Sequence, residues 1–310
     1  MADADTTRSQ LAFREEAAFN EAIPGTPTLQ ILRITKHSIA HKNNTIVSNE
    51  LRADRARSDL LLVGQEVTGG FSFEFSSDTF DKFLESSLGG AFTVGVLKSG
   101  VAGLRSFQFE DQALDIAQFL YFRGCSVNDL NLNISSKQIV TGDVSFMGTI
   151  GRIASATAAT TTVAATVTPV MAAGINIASV LVNGAAIGIG VKDIKLSIKN
   201  NLRARDDVAS LVSRKYGRGD LDITGTIQAY FADASIWSLF VANTALSLSF
   251  VLTDGVTGGK SYTVLLPRIK LPDDMPDLSG MNADRMENIQ FRALLDPTEA
   301  CQMKVTKATL

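Results

Sequence analysis

Apolar and polar residues alternate with period two along most of the chain. Phe71, Phe73 and Phe75 alternate with Ser72 and Glu74, and Leu130, Leu132 and Ile134 with Asn131 and Asn133. Val144 and Phe146 flank Ser145, Ile194, Leu196 and Ile198 flank Lys195 and Ser197, and Ile289 and Phe291 flank Gln290. Successive side chains on a strand point to opposite faces, so each run predicts a strand with one packed and one polar face. Asn183-Gly184 and Asp254-Gly255 lie between apolar runs and predict turns. Two stretches switch to helical spacing. Phe80, Phe83, Leu84 and Leu88 predict a helix over 77–88, capped by Ser77 or Asp78 and ended by Gly89-Gly90. Ile236, Leu239 and Phe240 predict a second over 233–242, with Asp233 as its cap and Trp237 beside the apolar stripe. The class is mainly β with two short amphipathic helices.

The two helices have matching surroundings. Val67-Thr-Gly-Gly-Phe-Ser-Phe-Glu-Phe75 precedes the first and Ile223-Thr-Gly-Thr-Ile-Gln-Ala-Tyr-Phe231 the second. The offset is 156 residues throughout: Gly69 matches Gly225, Phe75 matches Phe231, and Phe83 matches Leu239. Upstream of each lies a strand and a charged loop, 50–59 in one copy and 203–220 in the other; downstream lies an apolar strand, 91–97 and 245–252. A spacing near half the chain is too long for a solenoid repeat and predicts a duplicated domain. The expected division is an N-terminal arm over 1–27, a first domain over 28–152, a linker or insertion over 153–190, and a second domain over 191–310. Each domain is expected to be a β-sandwich or barrel with one flanking helix.

Composition narrows the function classes. Of 310 residues, 45% are hydrophobic and 20% charged, which excludes wholesale disorder. A net charge of −3 argues against a dedicated nucleic-acid binder. The 39 residues from Ile153 to Val191 carry no charge, but six Thr, four Gly and a Pro make them unlike a membrane span. The start, Met-Ala-Asp-Ala-Asp, is acidic with no apolar run behind it, so no secretory signal is expected.

Candidate chemistry is sparse. Gly255-Val-Thr-Gly-Gly-Lys260-Ser261 approaches a phosphate-binding loop, but Asp254 occupies the first glycine position and a strand follows, so a hairpin loop is expected. His37 and His41 have no third ligand at a telling distance. Cys125 and Cys301 lack a C-x-x-C partner and read as buried small apolar residues. Hence no catalytic, cofactor or metal site is expected, and the protein reads as a structural or interaction protein. The charged loops stand out. In the first, Arg52, Arg55 and Arg57 interleave with Glu50, Asp54 and Asp59 and are bounded by Leu51 and Leu60–Val63. Balanced charge suits contact with another copy of the chain, and the interlaced apolar residues would be costly to leave in water. Leu51, Arg52, Asp54, Arg55, Arg57, Leu61 and Leu62, with Arg203, Arg205, Arg214 and Arg218 of the second loop, are therefore the candidate inter-subunit residues.

Several segments carry a family resemblance: Arg14-Glu-Glu-Ala-Ala-Phe-Asn-Glu-Ala-Ile-Pro-Gly25, Ile46-Val-Ser-Asn-Glu-Leu-Arg-Ala-Asp-Arg55, Val67–Phe75 with Phe80–Glu85, Ile139–Gly148 and Leu196–Leu202. In order and spacing these resemble the tail tube (major tail) proteins of phages with long non-contractile tails. The resemblance implies a virion protein, made in the host bacterial cytoplasm, whose copies form rings that stack into a tube. Neighbouring inner sheets would join into one barrel; single-domain members of the family form six-fold rings, so the resemblance implies that a duplicated chain would need three copies per ring. The implied partners are the chain itself, the tape-measure protein, the tail terminator and the baseplate or distal tail protein, with phage DNA passing through without specific binding. For such a channel the polar strand faces are the lumen candidates: Ser72, Glu74, Asp143, Ser145 and Gln228, with Glu74 and Asp143 expected to make it electronegative. The alternative reading is another non-enzymatic β-rich assembly subunit, of a secretion-system tube or an adhesin or pilus.

Overall fold

The computed structural model describes all residues except 1–4, 55, 187, 233–234 and 278–283. The first half runs through β1 (Ser9–Glu15), β2 (Thr28–Ile31), β3 (Lys36–His37), β4 (Ala40–Val47) and β5 (Leu60–Glu74) to helix α1 (Asp81–Leu88). It continues through β6 (Val96–Lys98), β7 (Phe107–Ala113), β8 (Gln118–Ser135), β9 (Thr141–Gly148) and β10 (Ile150–Ala154). Then come β11 (Thr161–Val163), a single turn α2 (Ala173–Asn176), β12 (Ile177–Val182) and β13 (Ala185–Ala186). The second half follows with β14 (Val191–Lys199), β15 (Arg203–Arg205), β16 (Lys215–Gly217), β17 (Asp222–Tyr230) and helix α3 (Ser235–Val241). It closes with β18 (Leu246–Thr253), β19 (Lys260–Asp277), β20 (Met286–Ala293) and β21 (Lys304–Thr309). The fold is mainly β, as the alternation predicts.

Two long strands organise the layers. The first part of β8 belongs to an outer sheet ordered β11-β2-β1-β7-β8-β10. The first part of β19 belongs to a second outer sheet ordered β13-β12-β18-β19-β21-β6. Past a register shift, the later parts of both strands enter one inner sheet. Its order is β3/β4-β5-β9-β8-β14-β17-β20-β19, and all its pairings are antiparallel. A bulge bends and twists a strand, which lets one strand serve both layers.

Register repeats between the halves. Glu74 faces Thr141 across β5 and β9, and Tyr230 faces Met286 across β17 and β20. Gly69 faces Phe146, and Gly225 faces Phe291. The shift between Phe107 and Phe109 recurs between Leu246 and Leu248, and that between Val127 and Asp129 recurs between Lys270 and Asp273. The matched glycines serve the same close approach: a Cβ at Gly69 would lie 2.1 Å from the Ser38 carbonyl oxygen, and one at Gly225 2.2 Å from that of Lys195. By register the counterpart of β18 is β7. The strand expected over 91–97 is reduced to β6, and residues 90–106 are an extra excursion of the first half. Residues expected in the N-terminal arm supply β1, which lies between β2 and β7, and the expected linker region supplies β11, β12 and β13.

The core lies between the layers. In the first half, Phe13, Phe107 and Phe109 of the outer sheet meet Phe71 and Phe146 of the inner sheet around Phe83 of α1. In the second, Leu246, Leu248, Phe250 and Val264 share a buried cluster with Ile223, Ile227 and Phe291. Helix α1 starts later than its spacing predicts. Its cap position is Phe80, with no side-chain cap, because tertiary partners occupy the expected caps. The Ser77 hydroxyl donates to Asp254, the Asp78 amide donates to Tyr262, and the Asp78 carboxylate pairs with Lys307. The helix ends at Gly89 in the left-handed region, as predicted. The expected cap Asp233 lies outside the described residues. Asn183-Gly184 turns β12 into β13, and 254–259 join β18 to β19 as a hairpin loop in which Asp254 accepts the amides of Val256 and Lys260. No helix among the described residues is long and apolar enough to cross a membrane.

One buried carboxylate ties the N-terminal strand to the outer sheet. Glu16 accepts the Ser106 hydroxyl at 2.5 Å and the amides of Asn20 and Gly124, both at 2.9 Å. Burial outweighs these bonds and raises its pKa above the usual carboxylate value. The folded state therefore holds this proton at pH values where the unfolded chain has released it. The stabilisation is complete below the unfolded pKa and is lost as pH rises through the folded one. Chemical denaturation from pH 4 to 8 should show Glu16→Gln gaining stability on wild type as pH rises; a constant difference would disprove the linkage.

Candidate self-assembly surfaces

The first surface is the face of the inner sheet turned away from the core. Because each strand alternates, this face is polar across all eight strands. One transverse row reads Lys36, Ser72, Asp143, Asn131, Ser197, Thr224, Arg292 and Lys270 in continuous register. A second row runs from Glu74 through Thr141, Asn133, Lys195 and Thr226 to Gln290. Ser145 faces Asp129, and Gln228 faces Asn288. The structure thus brings Ser72, Glu74, Asp143, Ser145 and Gln228 onto one face of one sheet, although they come from both halves. Neighbours share hydrogen bonds: Asn131 donates to Asp143 at 2.7 Å, Ser145 to Asp129 at 2.7 Å, and Gln228 to Asn288 at 3.2 Å. The Arg292 guanidinium pairs with Asp222 at 2.9 Å. Lys195, Lys199, Lys270 and Arg292 stand among the carboxylates, so the face carries both signs.

The second surface is the pair of loops, which behave differently. The first is a hairpin arm extending β4 and β5 beyond the sheet, with Val47 opposite Leu60 and Ile46 opposite Leu61. Ile46, Val47, Leu51, Leu60, Leu61, Leu62 and Val63 are all large apolar residues with substantial exposure. At its tip Arg52 pairs with Asp54 at 2.9 Å, and this hydrogen bond holds the Asp54 carboxyl below the usual range. Arg57 reaches Asn49 at 3.5 Å, and Arg55 lies outside the described residues.

The second loop folds back over the first half. It forms the hairpin β15–β16, in which Arg205 faces Lys215 and the Arg214 amide donates to the Arg205 carbonyl. Tyr216 is buried, sets its ring edge-on to Phe19 at 5.4 Å and donates to the Gly148 carbonyl at 2.6 Å. Arg218 donates to the carbonyls of Ala102 at 2.5 Å and Gly103 at 3.4 Å, and lies beside Gly89 at the end of α1. Burial lowers its pKa. Arg203 donates to the Arg218 carbonyl at 3.2 Å. Of the four arginines, Arg218 is the one whose guanidinium joins the two halves.

The joint between the halves and the two edges of the inner sheet were not singled out from sequence. At the joint the later part of β8 pairs with β14, from Asp129 opposite Lys199 to Ser135 opposite Asp193. Ile134 and Ile194 face each other there, as do Leu132 and Leu196. At the ends of the sheet, among the described residues, β3/β4 pairs only with β5, and the later part of β19 pairs only with β20. The signal in sequence was the alternation itself, which marks strands without ordering them. Cys125 and Cys301 are buried, and His41 accepts the Gly151 amide through Nδ1.

Comparison with curated proteins finds no match. A family model described as phage tail tube protein matches residues 6–293, nearly the whole described chain. The chain belongs to the phage tail tube protein family, structural components of the virion that assemble with copies of themselves into a tube.

Proposed function

We propose that this chain is a duplicated tail tube subunit, three copies of which close a ring whose stacked barrels form the channel for DNA ejection. The observation that carries the reading is the joint within the chain. By register β5 matches β17, so β14, the neighbour of β17, occupies the position that β3/β4 occupies beside β5. The later part of β19 likewise matches that of β8. The β8–β14 joint is then a template for joining the later part of β19 to β3/β4 of the next chain. An open sheet edge invites pairing, and only closure into a ring removes both edges. Two halves per chain place three chains in a six-position ring.

In this reading the polar face lines the lumen, which houses the tape-measure protein before DNA passes. The tail terminator would engage one end of the tube and the baseplate or distal tail protein the other. Synthesis is in the host cytoplasm, before incorporation into the virion tail. A sliding polyanion is held by each Lys or Arg that neutralises a phosphate. Glu74 and Asp143 oppose that attraction by offsetting Lys195, Lys270 and Arg292 on the same face. Electron microscopy of assembled protein tests the architecture: rings of three chains are expected, and rings of six chains would refute it. Glu74→Lys combined with Asp143→Lys should leave tails assembled and slow ejection several-fold, most at low salt, where screening is weakest. An unchanged rate at every salt concentration would place this face away from DNA.

A further inference from the structure

We propose that helix α3 of one chain covers the bare end of strand β10 in the next chain of the ring, with Trp237 seated over Gln118, Ile153 and Ser155. The inference rests on the ring reading and deepens it by naming a contact between the outer layers of ring neighbours.

The match between the halves extends to the outer sheets. Cys125 faces Phe107 as Ile269 faces Leu246, so along β8 and β19 Gln118 matches Tyr262 and Leu120 matches Val264. Ile153 faces Leu120 as Val305 faces Val264, so β10 matches β21, Ile153 matches Val305 and Ser155 matches Lys307. In the second half these places lie under elements of the first. The Tyr262 hydroxyl donates to Asp81 of α1 at 2.8 Å, Phe75 sets its ring edge-on to Tyr262 at 5.5 Å, and Lys307 pairs with Asp81 at 2.6 Å. Strand β6, from the excursion after α1, adds to β21 with Leu97 opposite Val305. Under this cover Tyr262 is buried and Val305 is 2% exposed. The first half lacks the cover. Among the described residues β10 pairs only with β8, Gln118 is half-buried, and Ile153 is 66% exposed although it holds the strand position of Val305.

The internal joint indicates what belongs there. Pairing β8 with β14 sets α1 against β14 and beside the outer sheet of the half that follows. Repeating that joint between the later part of β19 and β3/β4 of the next chain sets α3 in the same relation to the next first half. There β10 lies close to β4, since the Gly151 amide donates to His41. At the 156-residue spacing Trp237 holds the place of Asp81, and Phe231 that of Phe75. The polar contact of Asp81 with Tyr262 and Lys307 inside the chain thus becomes, between chains, a contact of Trp237 with Gln118 and Ser155. The second half sends no strand to β10, because α3 leads almost directly into β18, and Ile153 is left for the indole to cover. Trp237 is 42% exposed in the single chain, its ring against Phe240 at 5.4 Å. Exposed tryptophan and isoleucine gain by mutual burial, and tryptophan is enriched among the residues that anchor interfaces. The match of the halves selects a second copy of this chain as the occupant.

The test is a cysteine pair, Trp237→Cys with Ser155→Cys, in full-length assembled protein treated with a short bismaleimide; native Cys125 and Cys301 are buried, and the single variants serve as controls. A denaturing gel should show dimers and trimers and nothing larger. A ladder stopping at six would still place α3 on its ring neighbour while refuting the count of three chains. A ladder running past six would mean that α3 bridges stacked rings and would overturn the proposal. Normal tubes without cross-links would also overturn it and leave the tube reading intact. If wild type forms no tubes or rings, both fall. If the cysteine pair itself does not assemble, Trp237→Asp decides. The protomer stays folded by circular dichroism, and its assembly threshold rises about tenfold. Adding Ser155→Lys, which copies the Asp81–Lys307 pair into the joint between chains, restores assembly. Failure of the lysine to restore it would overturn the pairing, and a Trp237→Asp chain that does not fold would assign the indole to the protomer's own packing and overturn it as well.

Discussion

Phe83→Ala should lower the free energy of unfolding by about 3–5 kcal/mol, measured by chemical denaturation of the unassembled chain. Phe83 is 0% exposed and sits at the centre of an aromatic group. Its ring centroid lies 5.0 Å from Phe13, 5.1 Å from Phe71, 5.0 Å from Phe107 and 6.0 Å from Phe146. Phe13 and Phe107 belong to the first outer sheet and Phe71 and Phe146 to the inner sheet, so truncation leaves a cavity bordered by both layers of the first half. The strands of both sheets are held by hydrogen bonds and cannot collapse into it, which puts the cost at the upper end of large-to-small substitutions. The matched residue Leu239 is only partly buried against the core, and Leu239→Ala should cost clearly less. A loss below about 1.5 kcal/mol at Phe83, or an equal loss at Leu239, would refute this account of the first-half core.

Replacing residues 46–61 by Asn-Gly should leave a folded protomer that assembles about 100-fold less readily. The replacement closes Thr45 onto Leu62, which already face each other across β4 and β5, and Asn-Gly suits a two-residue hairpin turn. Fold is retained because the removed residues lie outside the packed layers; Leu51, Leu60 and Leu61 are exposed. Assembly is lost because each buried leucine side chain contributes about 1.5–3 kcal/mol and each 1.4 kcal/mol is a factor of ten. Two such side chains are enough for the predicted change. Light scattering against concentration, with circular dichroism as the folding control, checks it. Tubes forming at the wild-type threshold would reduce the arm to a solvated hairpin. An unfolded product would assign it to the protomer's own stability.

The different fates of the two arms show where legibility in sequence stops. Both were visible as charged loops at matched places, and both received the same expectation. One meets the second loop at its root, where the Gln65 amide donates to the Leu211 carbonyl, and beyond that point its leucines are exposed; the other is fastened to the first half through Tyr216 and Arg218. Their acceptors, the carbonyls of Gly148 and Ala102, are 68 and 116 residues away, and a backbone carbonyl has no sequence signature. The helix cap failed for the same reason. Ser77 and Asp78 are good cap residues locally, but Asp254, Tyr262 and Lys307 reach them from the second half. The lumen candidates show the reverse case. Alternation placed Ser72, Glu74, Asp143, Ser145 and Gln228 on polar faces, and strand pairing put those faces together.

By itself the sequence determined the strongly alternating strands and which side of each is buried, the two helical stretches, the two glycine turns and the 156-residue offset between the matched segments. These are local properties, set by the period-two geometry of a strand, the 3.6-residue turn of a helix and the conformational freedom of glycine. Only the tertiary structure decided that β8 and β19 each serve two sheets and that β8 pairs with β14 to join the halves. It also decided that basic residues of the second half share a face with Glu74 and Asp143, and that β3/β4 and the end of β19 are the sheet's edges. The physical reason is that backbone hydrogen bonds between strands are the same for every residue type. Side-chain alternation therefore selects a face, while the neighbour is selected by the fit of whole layers, which includes residues from both ends of the chain.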